Sequence, residues 1–324
     1  MTPSRAFRII VAVALTIYVI VRADPGAILR AAAAAHIGWI VAAVLLVLAD
    51  RAINAFRWLV LLRAVAAGTR PPLAAILRIF FVSSFIGNFL PGIGGDVYRA
   101  WQLAQLGVRA SEAAASVLMD RVAGVVSMVA LAAAALWLLP RAELPGLVPA
   151  LAVVSALCAI AAAGIFSANA AAVAVAVADR LPSNRARRVA RSLVEAVRRY
   201  ADHHSALLTV VLLSLGVQAL RVVQAYFLGR SLGIDQPVIV YFAFVPVVTL
   251  AMQLPITVAG LGVSQYAFER LFGSVGVASS QSVALSILFI ALGTIGNLPG
   301  GLLYFTRDGA GRPSASSTAA GGHG

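Results

Sequence analysis

The sequence predicts an all-α integral membrane protein of about six full transmembrane helices plus two proline-broken re-entrant hairpins, arranged as an inverted repeat. Three observations carry that expectation. Of all residues 61% are hydrophobic and 11% charged, with a mean hydropathy of +0.94, whereas soluble domains are roughly half apolar and a quarter charged. The apolar residues gather into runs long enough to cross a bilayer. Two of those runs break in proline and glycine at what would be membrane depth, as NFLPGIGGD at 88–96 and QLPITVAGLG at 253–262.

The chain of 324 residues has room for roughly six to eight spans of 20 residues each. The first run, 9–21, follows Arg5 and Arg8 and resembles a secretory signal core. Arg22 and Pro25 crowd the small-residue site behind it, so it is read as a retained first helix. Further runs cover 37–65, 77–90, 113–139, 147–178, 206–228, 238–256 and 283–305. Proline removes a backbone donor and glycine loosens a helix. The segments around Pro91 and Pro255 are therefore hairpins whose irregular backbone must be enclosed by protein or a water-filled cavity. Asn88, Pro91, Gly92 and Gly95 shape the first, and Pro255, Gly260 and Gly262 the second.

Arginines set the orientation. Residues 179–202 read as a long loop with seven arginines against three acids, the strongest cytoplasmic marker in the chain. Arg5 with Arg8, and Arg63 with Arg70 and Arg78, want the same side. All are satisfied if each hairpin enters and leaves on one face, the first opening to the cytoplasm and the second outward. The order is then helix, helix, hairpin, helix, repeated with inverted orientation, and both termini lie in the cytoplasm. One polytopic domain spans 1–306, with halves of about 1–140 and 146–306, and a Gly/Ser/Ala-rich tail at 307–324 is expected to be disordered. Short correspondences support the duplication: RAINAF at 51–56 matches RVVQAY at 221–226, and Leu90, Pro91, Gly95 and Tyr98 resemble Leu254, Pro255, Gly260 and Tyr266. Inverted repeats with broken helices characterise transporters.

Charged groups at mid-bilayer cost about 3 kcal/mol on insertion scales, so each should face a cavity or a partner. Asp50, Asn54 and Arg57 share one helical face at i, i+4 and i+7, with Arg51 pointing elsewhere. Glu112, Ser116 and Asp120 share another, beside Arg121, and Gln218, Arg221 and Gln224 form a third ridge. Arg57, Arg121, Arg221, Arg99, Asn54 and Gln224 are the candidates for binding an anionic head group. Asp50, Asp120 and Glu269 are the candidates for proton coupling. Arg63, Arg78 and Arg230 read as interfacial anchors.

The inventory also excludes. All 25 basic residues are arginine, which removes lysine Schiff-base chemistry. A lone Cys158 and scattered histidines, His203 and His204 included, give no zinc pattern. No metal and no cofactor is expected. The +13 charge lies in short gaps between apolar runs, which suits topology signals and lipid phosphates and not nucleic acid. Gly92 to Gly95 has no preceding strand and no Gly-Lys-Ser/Thr, so it is no nucleotide loop. Its amides and Arg99 suit an anionic lipid phosphate near the cytoplasmic mouth.

NFLPGIGGDVYR at 88–99, DRVAG at 120–124 and LPITVAGLGV at 254–263, in that order, resemble the membrane domain of the bacterial lysylphosphatidylglycerol synthase/flippase (multiple peptide resistance factor) and its stand-alone flippase-like relatives. The resemblance covers nearly the whole chain. It implies a multi-pass protein of the bacterial inner membrane that moves lipids between leaflets: an anionic or aminoacylated phospholipid, or a polyprenyl-linked glycolipid. The synthase relatives continue into an aminoacyl-transfer domain, whereas here Arg307 is followed by the short tail, so the chain is expected not to be an enzyme. A membrane lipid is the expected substrate, and an envelope-lipid biosynthetic enzyme a candidate partner. An integral membrane transferase and a non-catalytic scaffold subunit of a cell-envelope lipid pathway are the rival readings.

Overall fold

A computed structural model describes residues 35–66, 71–89, 94–138, 167–253 and 262–305, with a few isolated positions besides. The described residues are helical with short connections. In order they form α1 (Ile37–Val65), α2 (Leu73–Phe89), α3 (Gly94–Gln105), α4 (Ala110–Leu138), α5 (Ala168–Asp179), α6 (Asn184–Arg198), a 3-10 turn (Arg199–Asp202), α7 (His204–Ser231), α8 (Val238–Gln253), α9 (Val263–Gly273) and α10 (Ser279–Phe305). Four helices among them are long and apolar enough to cross a membrane, namely α1, α4, α7 and α10. α2, α5 and α8 are apolar but shorter. The expected first helix at 9–21, most of the run at 147–166 and the tail at 307–324 lie outside the described residues.

α1 and α7 pack side by side and antiparallel: Asp50 faces Arg221, and seven residues on, Arg57 faces Ser214, seven residues back. Around this pair the packing of the first four helices is echoed by that of the last four. α2 lies on α10 as α8 lies on α4, and α1 meets α10 as α7 meets α4. Likewise α2 joins α3 and α3 joins α4, as α8 joins α9 and α9 joins α10. The outer ends of α2 and α3 sit with the C-terminal part of α1, where Ile76, Leu103 and Val108 pack with Leu59 and Leu62. The outer ends of α8 and α9 sit with the N-terminal part of α1, where Val240, Tyr241 and Phe272 share a cluster with Ala43 and Val47.

Two glycines show what shapes the paired segments. A Cβ on Gly95 would lie 2.6 Å from the Ser83 carbonyl oxygen, so only glycine lets α3 fold back this closely on α2. Gly262 has φ +82°, a conformation other residues adopt at a cost, and its amide donates to Gln265 Oε1 at 2.6 Å. Pro91, Gly92, Pro255 and Gly260 fall outside the described residues.

The basic stretch read as a loop is largely helix. In α6 the arginines recur with Val189, Leu193 and Val197 between them at the helical period, a pattern that a count of charges overlooks. Ala196 is fully buried and packs with Leu61, Met119 and Val210 from α1, α4 and α7. Tyr200, in the following turn, is also buried and donates its phenolic O–H to the Leu61 carbonyl at 3.0 Å. Burial pushes that phenol well above its ordinary pKa, so it stays a donor at any physiological pH.

Candidate functional site

Where α1 and α7 cross, with α2, α3, α4, α8 and α10 around them, a cavity of about 470 Å³ opens. Its polar lining comes from both halves. α1 supplies Asp50, Arg51, Asn54 and Arg57; α3 supplies Asp96 and Arg99; α4 supplies Asp120 and Arg121; α7 supplies Gln218, Arg221 and Gln224. Asn88 ends α2, Gln253 ends α8, and Asn297 comes from α10. The helical periodicity of α1 and α7 therefore places their polar ridges inward, as the sequence implies.

The charges form two groups. In the first, Arg57 donates from Nε to Asp120 Oδ1 at 2.9 Å, and Arg99 donates from Nη1 to Asp120 Oδ2 at 3.0 Å. Arg57 also donates to Ser214 Oγ at 3.1 Å. Arg99 reaches Asp96 Oδ1 at 3.4 Å, and Arg121 pairs with the other Asp96 oxygen. The Arg99 guanidinium lies 5.0 Å from the ring centroids of both Trp58 and Phe80, a cation–π setting that holds it without neutralising it. Arg57 is 5% exposed and Asp120 6%.

The second group centres on Asp50, which is 1% exposed. Arg221 Nε lies 3.3 Å from Asp50 Oδ1, and Arg51 Nη1 lies 3.2 Å from Oδ2. Arg51 further donates to the Gly293 carbonyl at 3.3 Å. Arg51 and Arg221 are the residues that the internal sequence match aligns, and here they meet on one carboxylate. Between the groups, Asn54 donates to the Asp50 carbonyl at 2.8 Å. Asp50 and Arg57 are two turns apart on α1, roughly 10 Å along its axis.

Five arginines against three aspartates leave the cavity net positive. Several buried polar atoms in its wall find no hydrogen-bond partner: Arg51 Nε, Asn88 Nδ2, Arg99 Nε, Gln224 Nε2 and Asn297 Oδ1. Such atoms are costly in a dry interior, so the wall is built for a polar occupant. At the far end of α2, Asn297 donates to Asn88 Oδ1 at 2.8 Å. At the far end of α8 the matching contact is Gln253 with Met128 Sδ of α4, at 3.2 Å.

All six residues expected at the head-group site line this cavity, Arg121 from its exposed edge. Asp50 and Asp120 line it too; Glu269 does not, and on α9 it accepts from Ser279 Oγ at 3.4 Å. Arg51, expected to point elsewhere, lines the cavity as well. Its Cα is turned about 100° from that of Asp50, but its long side chain swings back to the neighbouring carboxylate. Glu112 leaves the ridge it shares with Asp120 and pairs with Arg199 at 3.1 Å. Asp96 and Asn297 were missed; Asp96 closes the glycine motif, and NLPGG at 297–301 echoes NFLPG at 88–92. Arg78, read as an interfacial anchor, donates to the Leu303 carbonyl at 3.1 Å, and Arg230, read likewise, pairs with Asp235. Among the described residues no three His, Cys, Asp or Glu side chains gather as metal ligands.

No curated protein matches the chain. The family model described as the lysylphosphatidylglycerol synthase TM region matches residues 6–300. A multi-pass membrane protein with helices of this kind, matched over nearly its full length, belongs to the lysylphosphatidylglycerol synthase transmembrane-region family.

Proposed function

We propose that the chain is a lipid translocase, not an enzyme, and that the central cavity carries a phosphate-bearing head group between leaflets while the acyl chains stay in lipid. One observation carries this reading. A net-positive cavity, lined by both halves and holding buried arginines and unpartnered donors, lies among helices that cross the membrane. Arginine forks suit phosphate oxygens. Asp50 and Asp120 hold those forks in place between passages, so a phosphate exchanges with a carboxylate and no arginine is stranded in a dry interior.

The same reading makes α1–α4 and α7–α10 an inverted repeat, with α2–α3 and α8–α9 as re-entrant hairpins. The echoed packing and the clustering of the hairpin ends at opposite ends of α1 support it. The seven arginines at 179–202, most of them on α6, support a cytoplasmic setting for that end of the bundle, and with it cytoplasmic termini in a bacterial inner-membrane protein. With Cys158 replaced by serine, single cysteines at 92–94 and at 258–261 are expected to react with membrane-impermeant maleimide from opposite faces of sealed vesicles. Labelling from one face refutes the inverted arrangement.

Reconstitution tests the activity directly. Liposomes carrying leaflet-labelled phosphatidylglycerol, aminoacyl lipid or polyprenyl-phosphate sugar are expected to show protein-dependent exchange of at least one of them. No exchange of any would sink the translocase reading and leave a scaffold role in an envelope-lipid pathway, for which the cavity arginines would be dispensable.

A further inference from the structure

Away from the cavity, α6 has one polar and one apolar face. Arg185, Arg188, Arg191 and Arg198 lie on the polar face and are exposed, with Glu195 among them. Leu193, Ala196 and Val197 lie on the apolar face and pack against the bundle. That apolar face is not fully covered. Val189 is 60% exposed, and on α5, which packs against α6, Val173 and Val177 are 63% and 58% exposed. Among the described residues, Arg191 of this helix pairs with Asp179 at 2.6 Å and Arg187 donates to the Leu181 carbonyl at 2.7 Å. At the C-terminal end of α6 a second cavity, of about 480 Å³, is walled by Arg109, Arg198, Arg199 and Ser111 together with Glu195 and Asp202.

We infer that the arginine face of α6 binds anionic phospholipid head groups of the leaflet at its end of the bundle. Charge complementarity and the adjoining valines choose this occupant. A basic face alone would suit an acidic soluble protein equally well, but Val189 on α6 and Val173 and Val177 on the adjoining α5 are exposed and apolar, which favours a cover of acyl chains. A helix with an apolar face on the hydrocarbon boundary and arginines above it lies in the head-group layer. Basic residues at that depth attract anionic lipid. α6 also touches α1 and α4 beside Leu61 and Met119, and the outer ends of α2 and α3 pack against the neighbouring turns of those two helices at Leu62 and Val117. The helix therefore gathers anionic lipid beside the outer ends of α2 and α3, the two helices whose residues Ser84, Asp96 and Arg99 line the cavity.

The test uses the whole protein in nanodiscs of mixed phosphatidylcholine and phosphatidylglycerol, with retained lipids counted by native mass spectrometry. The wild-type protein is expected to retain phosphatidylglycerol preferentially, and the preference to fall by roughly fivefold for each engaged arginine removed in R185Q/R188Q/R191Q/R198Q. Replacing the same four residues by lysine should keep most of it. In wild type the preference should also collapse at about 1 M salt, where the screening length is near 3 Å; should the fourfold glutamine variant fail to fold, the single variants R185Q and R188Q, at exposed positions, are each expected to lower the preference, and no change in either overturns the inference. Equal preference in wild type and glutamine variant, or a wild-type preference indifferent to salt, overturns the inference. Salt-sensitive capture of soluble polyglutamate without lipid preference would assign the face to an acidic protein and overturn it too.

Discussion

Asp120→Asn is expected to be the most destabilising single charge change in the protein, by about 3–5 kcal/mol. Asp120 is nearly buried and holds Arg57 through one oxygen and Arg99 through the other. Asparagine keeps the shape and removes the charge. Arg99 retains Asp96 at 3.4 Å and its aromatic neighbours Trp58 and Phe80. Arg57 retains only the Ser214 hydroxyl, at 3.1 Å, and a guanidinium of 5% exposure with a neutral partner is an uncompensated buried charge. The loss should appear as a lower thermal midpoint in detergent and reduced yield from the membrane. Because the penalty belongs to the stranded cation, D120N combined with Arg57→Met should recover a large part of it. A double variant as unstable as the sum of the two singles would show that Asp120 acts through packing and not through charge.

Much of this site can be read from the sequence where a single helix determines it. The spacing of Asp50, Asn54 and Arg57, and of Gln218, Arg221 and Gln224, fixes which side chains share a face, and a charged face in lipid has nowhere to point but inward. What the period cannot supply is which ridge meets which. Asp120 takes its arginines from positions 57 and 99, and Asp96 takes one from position 121. Those pairings depend on the crossing of α1, α3 and α4. Glu112 illustrates the same limit from the other side: it shares a ridge with Asp120, yet α6 and its turn bring Arg199 to it first. Arg51 escaped because a Cα direction is a poor guide for a side chain several bonds long. α6 escaped because its charge density suggested a solvated loop, although its valines and leucine keep helical time. Asn88 and Asn297 stand 209 positions apart, and local spacing holds no trace of their meeting.

Arg221→Gln is expected to separate activity from stability, slowing lipid exchange roughly 30-fold while the fold persists. Removing one buried, charge-assisted hydrogen bond to a phosphate is worth about 2 kcal/mol. Asp50 would still hold Arg51 at 3.2 Å, so its carboxylate is not left alone. This is the reverse of Asp120→Asn: there an arginine loses its only carboxylate, here the carboxylate loses one of two arginines. Arg221 and Arg51 converge on Asp50 from α7 and α1, so Arg51→Gln should produce a similar loss, and the pair together should leave Asp50 unpaired and cost stability as well. The measurement is the initial rate of protein-dependent exchange in liposomes, normalised to folded protein, beside a thermal midpoint for each variant. If R221Q exchanges lipid at the wild-type rate while remaining folded, the Asp50 group is structural, and any phosphate passage must run through the arginines around Asp120 alone.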